Sequence, residues 1–317
     1  MSRIIVTGAG GYIGGQTVLK LLDQGHSVYA VDQTLPPPHL MDVGCKWLTG
    51  DFAGEVFLSS IKSFNPEAII HCAGTSLVGP SVTNPMLYYD NNFVKTKTML
   101  DYLIQNKLTD IRVIFSSSAA TYGEPIMTPC QEEDPALPIS PYGESKLMIE
   151  MMMKAYANAY DLDFVAFRYF NACGADSQAR HGQAPGATHI IARVLESIRD
   201  GKDFTLYGDN YPTPDGTCIR DYIHVEDIAN AHIMAINSSV PAGVYNLGTN
   251  QGASNREIIA MSEKVTGQQV DLAVGPIRAG DPAVLTASAE RFNSISGWAP
   301  QFNLEDMVRH AWTWYVR

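Results

Sequence analysis

In SPYGESK, Ser140 to Lys146, a tyrosine and a lysine stand four residues apart behind a proline. If the segment is helical, Tyr142 and Lys146 share one face, one turn apart. An ammonium beside a phenol favours the phenolate and lowers its pKa from about 10, which makes a base usable near neutral pH. Ser118 precedes Tyr142 by 24 positions and closes a run of three serines. A hydroxyl at that point can hold a substrate hydroxyl while the tyrosine takes its proton. The candidate catalytic set is therefore Ser118, Tyr142 and Lys146. A Tyr-x-x-x-Lys pair also occurs on ordinary surface helices, so the surrounding elements must decide between the two readings.

Those elements alternate. Ile4–Thr7, Ser27–Val31, Ala68–His71, Arg112–Phe115 and Phe164–Phe167 are compact apolar runs that predict strands. Helical patterns lie between them, near 12–24, 55–64, 84–106 and 142–160. Strand–helix alternation predicts an α/β fold, a Rossmann-type doubly wound parallel sheet whose strands are buried on both faces. Past residue 170 or so the rhythm changes, Gly and Pro become frequent, and 207–217 reads as an ordered loop. A late strand is expected at Val244–Leu247. The expected organisation is a cofactor domain over 1–170 and a smaller mixed α/β domain over 171–317, with segments around 220–250 returning to the first. The serine run follows the fifth strand, at the sheet edge where such folds bind ligands.

TGAGGYIG, Thr7 to Gly14, follows the first strand and opens a helix, with glycines at 8, 11 and 14. Strand, glycine turn and helix together suit a dinucleotide pyrophosphate facing a helix N-terminus. Asp32 ends the second strand and can accept from a ribose diol while repelling a 2′-phosphate. Gln33 and Thr34 follow it, with no arginine alongside, so the expected cofactor is NAD. Asp51, after the third strand, could bond the adenine amine.

Bulk properties narrow the class. The chain has 317 residues, 45% hydrophobic and 17% charged, as in a globular protein with a substantial core. A net charge of −11 with no basic run argues against nucleic acid as a partner. Five scattered cysteines form no zinc or CxxC spacing, which predicts reduced thiols, a cytoplasmic location and no metal centre. Neither a signal-peptide pattern nor an apolar run long enough to span a membrane is evident.

The glycine loop, the upstream serine and the Tyr-x-x-x-Lys pair together resemble the extended short-chain dehydrogenase/reductase family, over essentially the whole chain. HCAG (71–74), YYDNN (88–92), SSSAATYG (116–123), RYFNACGA (168–175), NYPTPDGTCIRDYIHV (210–225), YNLGT (245–249) and RAGDPAVL (278–285) are similar to its nucleotide-sugar 4-epimerase members. PTPDGT–RDYIHV and RYFN are the discriminating stretches. The resemblance implies NAD-dependent interconversion of UDP-glucose and UDP-galactose at C4 through a transient 4-keto sugar. It implies cofactor contacts from Gly8, Gly11, Tyr12, Ile13, Gly14, Asp32, Asp51, Phe52, Cys72, Ala73, Gly74, Asn91, Ser116, Tyr142, Lys146 and Tyr169. For the UDP-sugar it implies Ser118, Tyr142, Asn171, His189, Ile190, Tyr207, Arg220, Arg278, Asp281 and Leu285, the last limiting room beside the sugar 2-substituent. Arg220 and Arg278 also make sense unaided, since a cation pair matches a pyrophosphate.

Two departures stand out. Ser76 occupies a place where the epimerases commonly carry a lysine near the cofactor ribose, and Gln33 replaces the usual asparagine after the acid. Within the family, a dehydratase is disfavoured because Ala119-Ala120, not an Asp-Glu pair, follows Ser118. Epimerases of pentoses, uronates or N-acetylhexosamines remain as alternatives, as does a catalytically silent NAD-binding regulator. The resemblance further implies a homodimer built from the helices near 84–106 and 142–160, the second carrying Met148, Met151 and Met152.

Overall fold

Runs of Val, Ile, Ala and Phe with no polar face have to be covered on both sides. In the computed structural model, which describes residues 1–237, 239–277 and 281–317, they form the inner strands of one sheet. Its strands are β1 (Arg3–Thr7), β2 (Ser27–Asp32), β3 (Lys46–Thr49), β4 (Ala68–His71), β5 (Arg112–Ser118) and β6 (Phe164–Tyr169). A seventh comes from far along the chain. All neighbours are parallel, and the spatial order, counted from that late strand, runs through β6, β5, β4, β1, β2 and β3. The order reverses between β1 and β4, which opens a crevice at their carboxyl ends.

The helices covering this sheet are α1 (Tyr12–Asp23), α2 (Glu55–Phe64), α3 (Val78–Thr83), α4 (Pro85–Tyr88), α5 (Lys95–Gln105) and α6 (Pro141–Tyr160). Two apolar clusters lie on opposite faces. One joins Ile4, Val6, Val18, Leu21, Ile70 and Val165; the other joins Ile5, Phe57, Ile61, Met99, Leu103 and Met153. Ser140 caps α6 by accepting from the Gly143 N–H at 3.2 Å, and Pro141 supplies a preset first φ.

Later elements are shorter. They are β7 (Asn171–Cys173), α7 (Ile190–Asp200), β8 (Phe204–Tyr207), β9 (Ile219–His224), α8 (Val225–Ala235), β10 (Gly243–Leu247), β11 (Gly252–Ser254), α9 (Asn255–Thr266), β12 (Leu272–Gly275), β13 (Val284–Leu285), α10 (Glu290–Ser296) and α11 (Leu304–Tyr315). Strand β10 is the seventh strand of the large sheet, beside β6. A small sheet centres on β9, which pairs with β7, β11 and β13, and β8 pairs with β12. Ile191, Leu195, Tyr222, Ile258, Met307 and Trp314 form a separate apolar cluster among α7, α9, α11 and β9.

Two elements differ from the sequence reading. Strand β5 does not stop at Phe115: Ser116, Ser117 and Ser118 pair with Phe167, Arg168 and Tyr169 of β6. Hydrophobic patterning misses this because the serine hydroxyls find partners inside the fold. The helix expected over 84–106 is divided by a wide turn, Tyr89–Val94, with π-type spacing, a form that is frequent at functional sites. That turn aims Asn92 inward, where its Oδ1 accepts from the Thr75 N–H at 2.7 Å and its Nδ2 donates to Ser145 at 3.0 Å.

Candidate active site

Glycine is required at the start of the crevice. Gly8 has φ +69°, and a Cβ there would lie 2.6 Å from the Ala73 nitrogen; at Gly14 a Cβ would lie 2.1 Å from the Gly8 carbonyl oxygen. The backbones of β1, α1 and the segment after β4 can therefore close on one another only without side chains. Asp32, at the end of β2, accepts from the Gly10 N–H at 2.9 Å and from the Thr34 N–H and hydroxyl at 3.1 Å. Gly8, Gly11, Asp32, Gln33, Phe52, Cys72, Ala73, Gly74 and Asn91 line a cleft of about 250 Å³. Among the described residues lining it there is no lysine or arginine. A carboxylate with no cation beside it suits a ribose diol and opposes a 2′-phosphate, so the cleft fits NAD.

The remaining expected cofactor residues have other contacts. Tyr12 donates its hydroxyl to the Gly174 carbonyl at 2.7 Å. Ile13 packs against the core, and Gly14 is buried. Asp51 pairs with Lys95 at 2.7 Å and accepts from the Ala53 N–H. The Tyr169 hydroxyl lies 3.0 Å from the Ser116 hydroxyl and also meets His232 Nε2, tying β5 and β6 to α8. Ser76 is exposed.

On the next strand outward, β5 delivers Ser118 at its last position and α6 delivers Tyr142 in its first turn. Ser118 Oγ accepts from the Ala120 N–H at 3.1 Å, and its hydroxyl is near enough to the Tyr142 phenol to favour the phenolate. Lys146 donates to the Ser116 carbonyl at 2.7 Å, and its ammonium lies 5.8 Å from the Tyr142 ring centre. Both groups are buried. Burial pushes the Tyr142 phenol above the ordinary tyrosine value, with the neighbouring Ser118 hydroxyl pulling it partly back and Tyr88 adding to the rise. The simple expectation that Lys146 depresses the phenol is thus outweighed here. Desolvation penalises phenolate and ammonium alike, and it also draws Lys146 down to about 8 against smaller pulls from Cys72 and Glu150.

Glu150 lies one further turn along the same face of α6. Its carboxylate takes Arg168 Nε at 3.0 Å and Nη2 at 2.7 Å, and Ser117 donates to it as well. Arg168 also lies over the Tyr122 ring, 4.6 Å from its centre. This ion pair is almost fully buried, at 0% and 3% side-chain exposure. It clamps the helix bearing Tyr142 and Lys146 to β6 through Arg168 and to β5, the strand bearing Ser118, through Ser117. Sequence patterning did not reveal it, although the i, i+4, i+8 spacing of Tyr142, Lys146 and Glu150 carries the signal.

A second cavity, about 190 Å³, lies among β7, α7, β8 and β9. Asn171, His189, Ile190, Tyr207, Arg220 and Asp281 all line it. Arg220 forms an ion pair with Asp281 and donates to the Ile219 carbonyl. Asn171 donates to the Asp221 carbonyl at 2.8 Å. Leu285 is not in this lining; it packs against a cluster of Ala119, Tyr122, Cys130 and Phe170, in which Ala119 directly follows Ser118 in the chain. Arg278 lies outside the described residues. The cavity also includes residues the sequence reading missed, among them Tyr222 and Arg193. Tyr222 is two positions after Arg220 on β9 and so shares its face.

A doubly wound sheet with a glycine-lined crevice beside a Ser, Tyr and Lys set defines a class of nucleotide-dependent enzymes. The family model for the NAD dependent epimerase/dehydratase family matches residues 4–248, and the chain belongs to that family. Its sequence is 43% identical to a UDP-glucose 4-epimerase of Halalkalibacterium halodurans, over 98% of this chain and 95% of that protein. Its fold is similar to the UDP-glucose 4-epimerase of Brucella ovis in complex with NAD, with a TM-score of 0.93, 37% identity, and coverage of 99% and 98% of the two chains. It is also similar to that of Bifidobacterium longum in complex with NAD+ and UDP, with a TM-score of 0.90, 34% identity and the same coverages.

Proposed function

We propose that the protein interconverts UDP-glucose and UDP-galactose by inverting C4, with Ser118, Tyr142 and Lys146 as its catalytic residues. The observation that carries this reading is the grouping of those three side chains at the sheet edge, with Lys146 beside Gly74 of the cleft that fits NAD, in a fold that also forms a cavity lined by Arg220 and Asn171. NAD, when bound, supplies a reversible two-electron acceptor for the C4 centre. Gly8, Gly11, Asp32, Phe52, Ala73, Gly74 and Asn91 would hold it, with Lys146 at its ribose.

The chain's own residues handle the proton and the anchor. Tyr142, as phenolate, takes the proton from the sugar 4-hydroxyl and returns it after the 4-keto sugar has turned over. Ser118 holds that hydroxyl through its Oγ and offers the proton a short path to the phenol. Lys146 provides positive charge on the same face. Its ammonium has a carbonyl partner and an aromatic neighbour, Phe115, 4.8 Å away. At the far end, Arg220, Asp281 and Asn171 keep the nucleotide fixed while the sugar rotates. Residues 1–170 thus serve mainly the cofactor and 171–317 mainly the UDP-sugar, with about 220–250 returning to the first part.

The protein acts as a homodimer on this reading. Val78, Val82, Met86, Leu87 and Val94, from α3 to the wide turn, are exposed, and Met151 of α6 is 62% exposed. Apolar side chains at that density suit a helix-to-helix subunit contact. All five cysteines are free thiols, which supports a reducing compartment, and we place the enzyme in the cytoplasm. The decisive experiment incubates the purified protein with UDP-galactose, without added NAD, and assays UDP-glucose. Turnover is expected. Fixed NAD with no turnover of any UDP-sugar would instead support a silent regulator.

A further inference from the structure

The nucleotide cavity holds two arginines among its described lining residues, and they are not equivalent. Arg220 already has a counter-ion, Asp281. Arg193 has none: no described carboxylate forms an ion pair with it. Glu196, one helical turn on, accepts instead from the Gly186 N–H at 2.7 Å. Arg193 is half-buried, and its guanidinium lies over the Phe204 ring, 5.5 Å from the centre. It stands three and four positions after Ile190 and His189, so helical geometry puts all three on one face of α7. That face lines the cavity. The described charged side chains around the space thus amount to one neutral pair and one cation without a described counter-ion.

On the UDP-sugar reading of this cavity, we propose that Arg193 is a substrate-binding residue that pairs with the diphosphate. A partly desolvated guanidinium without a counter-ion gains most from a phosphate oxygen, which it can take in a forked hydrogen bond. The aromatic ring beneath it holds the side chain ready, so little rotamer freedom is lost when the ligand arrives. A nucleoside, which lacks phosphate, offers this cation nothing comparable.

The test compares binding of UDP, UMP and uridine by calorimetry to the wild type, Arg193→Met and Arg193→Lys, alongside kinetics with UDP-galactose. Methionine keeps the length and apolar contact over Phe204 without the charge, and thermal melting of each variant checks the fold. Arg193→Met should weaken UDP about tenfold or more, the scale of one charge-assisted hydrogen bond, and leave uridine within about twofold. KM should rise with kcat nearly unchanged, because this contact is made equally before and during the reaction. Lysine should restore part of the UDP affinity. Equal losses for UDP and uridine would move the contact to the base and overturn the proposal, as would undiminished UDP binding by Arg193→Met. A wild-type protein that binds UDP no better than uridine would overturn the epimerase reading itself, a result separate from either of these.

Discussion

The proposed catalytic edge and the cavity proposed for the nucleotide are both organised around an arginine–carboxylate pair, but the two pairs sit in different surroundings. Arg168 and Glu150 are 3% and 0% exposed and join a long helix to β6, an inner strand of the seven-stranded sheet. Arg220 and Asp281 are 10% and 33% exposed and join a small sheet to a loop. The difference matches what each region has to do. On the proposed reading, proton transfer needs Ser118 and Tyr142 held to within fractions of an ångström, which suits supports that are buried and regular. The second pair belongs, on the same reading, to a UDP anchor that has to admit and release a ligand, so its charges stay near solvent and exchange partners at smaller cost.

Substitutions can break or sharpen this contrast. The largest effect is expected at the phenol. Tyr142→Phe keeps the ring and should keep fold and NAD, while kcat falls by about 10²–10⁴-fold, the usual worth of a positioned acid–base group; a near-normal kcat would remove Tyr142 from the mechanism. In Lys146→Met the loss should shrink as the assay pH rises. Burial already lifts the phenol above its usual value, so its base form grows with increasing alkalinity and no acidic optimum should appear.

Stability should separate the two pairs next. Glu150→Leu leaves Arg168 charged, buried and unpaired, which costs about 3–5 kcal/mol, and urea unfolding should register it. Arg220→Met leaves Asp281 within reach of water, so its midpoint should move far less, while binding of UDP weakens about tenfold or more. Equal destabilisation by the two changes would erase the distinction drawn here.

The smallest effect concerns sugar choice. Leu285 is partly buried beside the segment following Ser118, and a rigid ring there would crowd the sugar. Leu285→Tyr should lower kcat/KM for UDP-N-acetylgalactosamine relative to UDP-galactose by about tenfold, the scale of a modest steric discrimination. An unchanged ratio would take Leu285 out of the sugar pocket.

The local parts of this protein are legible in its residues. The glycine turn, Asp32 at a strand end and the Tyr142–Lys146 spacing each depend on a few neighbours in the chain and on backbone rules that hold anywhere. So do most of the strands, because an uninterrupted apolar run has one comfortable place, the middle of a covered sheet. Packing decided the rest. The serine run became strand because Ser117 found Glu150 and Ser116 found Tyr169, partners 33 and 53 positions away. A late segment, Gly243–Leu247, was drawn to the edge of a sheet begun at residue 3. Only the folded chain brings Arg193 to the cavity of Arg220 without an ion pair to any described carboxylate, and only burial sets the phenol and the ammonium against the shifts their spacing implies. Desolvation and counter-ion pairing depend on what surrounds a group in space, and sequence separation carries no measure of that.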